Sequence, residues 1–311
     1  MSSNAEPSRA KAWVMAARPQ TMPAAISPVL VGVGVAVHEG LFAPIPAAAA
    51  LLGAILIQIG TNFANDYYDA IQGADTEDRE GFTRVTAGGL IEPAAVKRAM
   101  WLTFAAAILV GSYLVWIGGV PILVIGLLSV ASGIAYTGGP YPLGYHGLGD
   151  LFVFVFFGLV AVTGTVYVQA AAAVAGVPMG LPEGTVPSLA LLASLPMAGL
   201  TTNVLVVNNV RDKEEDSRTG KRTLAVRFGY GVCRVEYVAM LALAYAVPVF
   251  LFVEGFGPAV LLPLLSIPLA AVVGRTVLTR TDGEALNPAL ERTGQLLALY
   301  AALFTTGLIL G

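Results

Sequence analysis

Asn62-Phe-Ala-Asn-Asp66-Tyr-Tyr-Asp69 closes one long apolar run of the chain, and Asn208-Asn-Val-Arg-Asp212-Lys-Glu-Glu-Asp216 closes another. Asn62, Asp66 and Asp69 in the first, and Asn208, Asp212 and Asp216 in the second, stand where an apolar segment meets a charged one. Ionisable groups at the end of a membrane helix are expensive to keep there, so they mark a functional site by default. Two such clusters built alike point to one shared ligand. On a helix, residues four apart share a face, so Asn62 and Asp66 lie together with Asp69 a turn further on, and Asn208, Asp212 and Asp216 repeat the stripe.

The composition around these clusters fixes the class. Of 311 residues 56% are hydrophobic and 12% charged, more apolar surface than a soluble core hides. The long uninterrupted runs lack the short alternating segments of a membrane barrel, so the chain reads as an all-α integral membrane protein. At about 20 residues per crossing, nine transmembrane helices are expected, at 20–38, 43–65, 97–117, 119–136, 148–173, 188–208, 232–254, 257–278 and 291–310. The third and fourth are separated only by Gly118, Gly119 and Val120, which requires a tight hairpin before Pro121.

All 17 Lys and Arg residues then fall on one side. Basic loops stay cytoplasmic, so the N-terminus and both acidic clusters are expected in the cytoplasm and the C-terminus outside, in a multi-pass protein of the cell membrane. Residues 1–311 read as a single membrane domain, with 1–18 a cytoplasmic tail and 66–96 and 209–231 cytoplasmic cap loops carrying the acidic motifs. No cleavable signal is expected, because residues 1–18 are polar or mixed. Cys233 is the sole cysteine, which excludes an intramolecular disulfide, and His38 and His146 are too far apart in sequence to suggest a ligand pair. No nucleic-acid partner is expected.

Carboxylate and amide oxygens are hard ligands suited to magnesium, which usually binds through one or two carboxylates plus substrate phosphates. Cations stand beside the acids: Arg79 and Arg84 after the first cluster, and Arg211, Lys221 and Arg222 around the second. Acids that hold metal and cations that hold phosphate together indicate diphosphate chemistry. A third loop, Tyr136 to Asp150, is rich in Gly, Pro and Tyr and lies on the same side.

Taken together, Asn62 to Asp75, Tyr136-Thr-Gly-Gly139, Asn208 to Asp212 and Gly220-Lys-Arg-Thr-Leu-Ala-Val-Arg-Phe-Gly229 resemble the UbiA superfamily of membrane prenyltransferases, and within it the MenA branch. Ala17-Arg-Pro-Gln-Thr-Met-Pro-Ala-Ala25 looks like that branch's entry to the first helix. The first motif departs from the commoner superfamily pattern, with Gly73 where a further acid is expected and Asp75 following. The resemblance implies nine membrane helices and transfer of a polyprenyl group from polyprenyl diphosphate to 1,4-dihydroxy-2-naphthoate, with decarboxylation, in menaquinone synthesis.

It further implies magnesium ions held by Asn62, Asp66 and Asp69 and by Asn208, Asp212 and Asp216. Arg79, Arg84 and Lys221, with the two asparagines, would bind the diphosphate. Tyr136, Tyr68 or Tyr141 would offer π faces to an allylic cation, and the prenyl tail would lie among membrane lipid. Another aromatic or lipid acceptor remains an alternative within the superfamily. A transporter is the alternative outside it, although transporters place their sites near the bilayer midplane.

Overall fold

In a computed structural model, residues 7–73 and 85–311 are described. The described chain is all helical: α1 Arg9–Ala17, α2 Met22–His38, α3 Pro44–Ile71, α4 Pro93–Ala135, α5 Gly149–Val153, α6 Ala161–Ala171, α7 Ser188–Arg218, α8 Leu224–Val253, α9 Ile267–Thr279 and α10 Gly283–Leu310. A π-helical stretch, Phe154–Val160, joins α5 to α6, and a 3₁₀ stretch, Pro258–Ser266, leads into α9. Eight helical segments among the described residues are long and apolar enough to cross a membrane.

One of the eight is α4, whose 43 residues would extend about 65 Å if straight, roughly twice the hydrocarbon thickness of a bilayer. It is broken at Gly119, where φ is 64° and ψ −148°. A Cβ on Gly133 would lie 3.6 Å from Phe104 Cζ, whereas a straight helix would separate these positions by about 44 Å. The two arms of α4 therefore fold back on each other, as the Gly118-Gly119-Val120 spacing demands. The apex is tied down twice: Val120 N donates to Pro178 O at 2.9 Å and the Tyr167 hydroxyl to Gly118 O at 2.7 Å.

The helices pack around four apolar clusters, two of which frame the site. Val31, Val35, Val166, Met197, Leu200 and Phe304 join α2, α6, α7 and α10, while Ala12, Ala16, Phe63, Met100 and Phe104 join α1, α3 and the first arm of α4.

Three segments differ from their sequence reading. Within 1–18, residues 9–17 form a helix capped by Ser8, whose hydroxyl accepts from Lys11 N, and Trp13 meets Phe63 edge-on at 5.8 Å. This tail is thus part of the packed body. The expected cap loop 209–231 is helical over most of its length, because α7 runs on to Arg218 and α8 starts at Leu224. Only residues 219–223 link them. Of the other expected cap, 66–71 continue α3 and 93–96 open α4; residues 74–84, with Asp75, Arg79 and Arg84, lie outside the described residues.

Candidate active site

Because α3 and α7 continue past their apolar runs as helices, both acidic clusters stand on rigid elements. Their ends face one cavity of about 880 Å³. Asn62, Asp69, Asn208, Asp212, Asp216 and Lys221 line its polar end, and Arg18, Tyr136 and Tyr145 join them. The rest of the wall is apolar, with Phe152, Phe156 and Phe157 from the region of the π-helical stretch. Such widened turns recur at functional sites.

On the α3 side, Asn62 Nδ2 donates to Ala17 O and to Thr21 Oγ1, both at 2.9 Å, and Asn62 Oδ1 accepts from Gln58 at 3.4 Å. A carbonyl only accepts, so the contact with Ala17 O fixes which amide atom is which. Arg18 follows directly, with φ of 52°, a left-handed conformation uncommon outside glycine. Its Nη2 lies 3.8 Å from Asp66 Oδ1.

Asp66, 1% exposed, is turned away from the cavity. Its Oδ2 accepts from Thr86 N at 3.2 Å and Thr86 Oγ1 at 2.6 Å. Asp69 does reach the cavity. Its Oδ1 accepts from the Tyr145 hydroxyl at 2.6 Å and lies 3.5 Å from Lys221 Nζ.

Lys221 bridges the two clusters, for the same Nζ is 4.0 Å from Asp216 Oδ1 and 4.8 Å from the Tyr145 ring centroid. The five-residue connector that carries it is held at both sides. Lys221 N donates to Asp216 O and Arg222 N to Tyr145 O, each at 2.8 Å. On the α7 side, Arg211 Nε and Nη2 meet the two oxygens of Asp212 at 2.6 and 2.8 Å, while Nη2 also reaches Asn208 Oδ1 at 2.7 Å and Nη1 reaches Asn287 of α10 at 3.0 Å.

Tyr136 sits where polar and apolar walls meet, its hydroxyl 2.8 Å from where a Cβ of Gly149 would be. Burial, with Asp150, Asp216 and Asp69 nearby, pushes its phenol above the usual value, so it remains a neutral donor.

Among the described residues no three His, Cys, Asp or Glu side chains converge closely enough to hold an ion unaided. The donor set nonetheless fits magnesium shared with a phosphate ligand, which would complete the shell: Asp69 is offered from one helix and Asp212 and Asp216 from the other, all oxygen.

The structure thus brings together at the cavity every described residue singled out in the two motifs except Asp66, which stands directly behind. Tyr141 is exposed and stacked on His146 at 3.7 Å, and neither it nor Tyr68 is part of the cavity wall. His38 is bound to Leu308 O, and Cys233 is buried and free. Arg18 was not singled out for the site by sequence reasoning, the Arg-Pro-Gln-Thr entry being the signal, and Tyr145 was marked only as one of the three tyrosines of the Gly- and Pro-rich loop.

Paired acidic helix ends thus face one another over an apolar cavity, inside a bundle of helices long and apolar enough to cross a membrane. The chain belongs to the UbiA prenyltransferase family, whose model matches residues 25–306. It is similar to the 1,4-dihydroxy-2-naphthoate octaprenyltransferase of Escherichia coli K12, at 38% identity over 97% of this chain and 96% of that protein. The enzyme of the same description from Mycobacterium tuberculosis is 36% identical over 96% of this chain and 97% of its own. In fold the chain resembles a UbiA homolog from Aeropyrum pernix K1, with a TM-score of 0.69 at 14% identity, covering 90% of this chain and 96% of that one. A UbiA homolog from Archaeoglobus fulgidus bound to DMAPP and Mg2+ gives a TM-score of 0.54 at 13% identity, covering 94% and 98%.

Proposed function

We propose that the chain transfers a polyprenyl group from polyprenyl diphosphate to 1,4-dihydroxy-2-naphthoate, with loss of the ring carboxylate as carbon dioxide, giving demethylmenaquinone in its reduced, quinol form for menaquinone synthesis. The observation that carries this reading is the lysine-bridged pair Asp69 and Asp216 at the mouth of an apolar cavity. Near full-length similarity to octaprenyltransferases of that description supports the acceptor.

In this reading the diphosphate occupies the polar end and the tail the apolar one. Lys221 and Arg18 face the leaving phosphates, and Arg79 and Arg84 add charge from the segment between α3 and α4. Asp69, Asp212 and Asp216, with the amide oxygens of Asn62 and Asn208, would hold magnesium, as the family's use of a divalent metal suggests; Asp66 supports them from behind. Magnesium there would neutralise the charge that grows on the leaving diphosphate.

As the allylic carbon–oxygen bond breaks, Tyr136 and Tyr145 present π faces to the cation and the phenylalanine wall keeps water away. The ring carbon bearing the carboxylate attacks, its electron pair forming the new carbon–carbon bond. Loss of carbon dioxide then returns a pair to the ring, so no external base is needed.

The two arms of α4 taken separately bring the spans to nine, with the N-terminus and site cytoplasmic and the C-terminus outside. Basic residues gathered at one end support that orientation. The deciding experiment incubates purified protein in detergent with a polyprenyl diphosphate, 1,4-dihydroxy-2-naphthoate and magnesium. Prenylated product with carbon dioxide, abolished by EDTA, is expected; diphosphate release without coupling to this ring would refute the acceptor.

A further inference from the structure

Asn209 follows Asn208 on α7, yet the reading above gives it no part in holding metal or diphosphate. It is 6% exposed and lines the cavity. On the helix it shares one stripe with Leu205 a turn before it and with Asp212 and Asp216 after it, and all four line the cavity. Asn209 therefore stands where the apolar wall gives way to the acidic one. Tyr136 marks the same level: a Cβ on Gly149 would lie 2.8 Å from the Tyr136 hydroxyl and 3.2 Å from Leu205 Cδ2.

The amide of Asn209 is held one way round. Asp150, the residue after Gly149, is 5% exposed and not part of the cavity wall. Its two oxygens accept from Asn209 Nδ2 at 3.5 and 3.4 Å, and these are its side-chain hydrogen bonds among the described residues. A carboxylate only accepts, so it is the NH2 that Asn209 turns to Asp150. A carboxylate kept out of water is costly, and what this one does is fix an amide. Asn209 Oδ1 accepts no hydrogen bond from a described residue and is the amide atom left for the cavity.

An amide oxygen requires a donor. Among the substrate groups that meet at this level, diphosphate oxygens and a ring carboxylate only accept, whereas a ring hydroxyl donates. We propose that Asp150 is a positioning residue that turns the Asn209 carbonyl oxygen into the cavity, where it accepts a hydrogen bond from a ring hydroxyl of the aromatic acceptor and so takes part in choosing that acceptor. The proposal rests on the acceptor reading above. It sets the ring at the junction of the two walls, beside an allylic carbon whose diphosphate lies at the acidic end, and turns the ring carboxylate away from Asn209.

The test measures prenyl transfer to 1,4-dihydroxy-2-naphthoate and its competition by two analogues that each lack one ring hydroxyl, 1-hydroxy-2-naphthoate and 4-hydroxy-2-naphthoate, in the wild-type protein, Asn209→Leu and Asp150→Asn. In the wild type, the analogue missing the bound hydroxyl is expected to bind about tenfold or more weakly than the parent, the scale set by a buried hydrogen-bonding group left unpaired. Asn209→Leu is expected to lose that penalty while keeping the wild-type KM for the donor, a split that general loosening of the fold would not give. In Asp150→Asn the partner can give as well as accept, the Asn209 amide is free to turn, and the penalty is expected to shrink.

A wild-type protein that binds both analogues as well as the parent, or an Asn209→Leu protein that keeps the penalty, would overturn the contact. An Asp150→Asn protein that keeps it would overturn the positioning role. Should melting curves show Asn209→Leu misfolded, Asn209→Ala decides by the same ratio. A wild-type protein that transfers no prenyl group to 1,4-dihydroxy-2-naphthoate would instead refute the acceptor reading.

Discussion

Arg211 grips the carboxylate of its own neighbour, Asp212, with Nε at 2.6 Å from one oxygen and Nη2 at 2.8 Å from the other. Both side chains are almost wholly buried. The arginine also holds Asn208 and reaches Asn287 on α10, so it orients the α7 ligands and ties their helix to the last one. Removing one partner of a buried ion pair costs about 3–5 kcal/mol. Arg211→Gln is therefore expected to lower the melting temperature clearly and to raise the magnesium concentration needed for half-maximal activity. Arg211→Lys should recover part of the stability without the two-point hold. An unchanged magnesium dependence in a folded Arg211→Gln protein would remove the orienting role.

Lys221 is the cation shared by Asp69 and Asp216. Replacing it with Gln leaves two buried carboxylates facing each other with less compensation and takes a charge from the diphosphate end. Loss of one such electrostatic contact typically costs 10²–10³-fold in kcat, so a fall of about a hundredfold is expected, with a raised KM for the diphosphate. Steady-state kinetics with a saturating acceptor checks it.

Tyr145 separates two roles in a single residue. Its hydroxyl binds Asp69 at 2.6 Å and its ring lies under Lys221. Tyr145→Phe keeps the ring and should cost about tenfold in kcat/KM, corresponding to roughly 1.5 kcal/mol for a hydrogen bond to a charged group. Tyr145→Ala should cost more. If Phe and Ala were equally damaging, only the hydroxyl would matter.

Asp66 and Asp69 come from one motif but face different surroundings. Asp69→Asn is expected to abolish most activity with a normal melting curve, because that side chain lines the cavity. Asp66→Asn disturbs the bonds to Thr86 and should also lower stability, by about 1–3 kcal/mol. Thermal unfolding beside activity distinguishes them.

Gly119 gives a purely structural prediction. A Cβ there would lie 1.8 Å from Pro178 O on a backbone with φ of 64°. Gly119→Ala should destabilise by about 3 kcal/mol or more, seen as loss of folded protein in detergent. Gly111→Ala, which meets nothing, should not.

Much of this was legible before any coordinates, and the reasons differ by residue. The apolar runs and the break at Gly118-Gly119 follow from the cost of exposing backbone to lipid, which leaves few arrangements. The two clusters follow because carboxylates at such ends demand a use. The end of α7 was misjudged at 209–231 because hydropathy marks where lipid stops, not where a helix stops. Lys213, Glu214, Glu215 and Arg218 are good helix formers in water, so the helix continues. Contacts such as Asn62 with Ala17 O and Arg211 with Asn287 join residues 45 and 76 positions apart, and no local pattern encodes them. Asp66 shares its helix face with Asn62, yet its orientation depends on Thr86, 20 positions away.

The apolar cavity also bears on how rates with long donors are to be measured. A donor whose tail never leaves the hydrocarbon meets the site at a concentration set by its share of the surrounding lipid or detergent, not by the volume of the tube. Adding empty micelles at fixed total substrate should therefore slow the reaction, and Michaelis constants for long donors belong in mole fraction, whereas the water-soluble acceptor keeps its ordinary molar scale. Two preparations that differ only in detergent would otherwise look like two different enzymes.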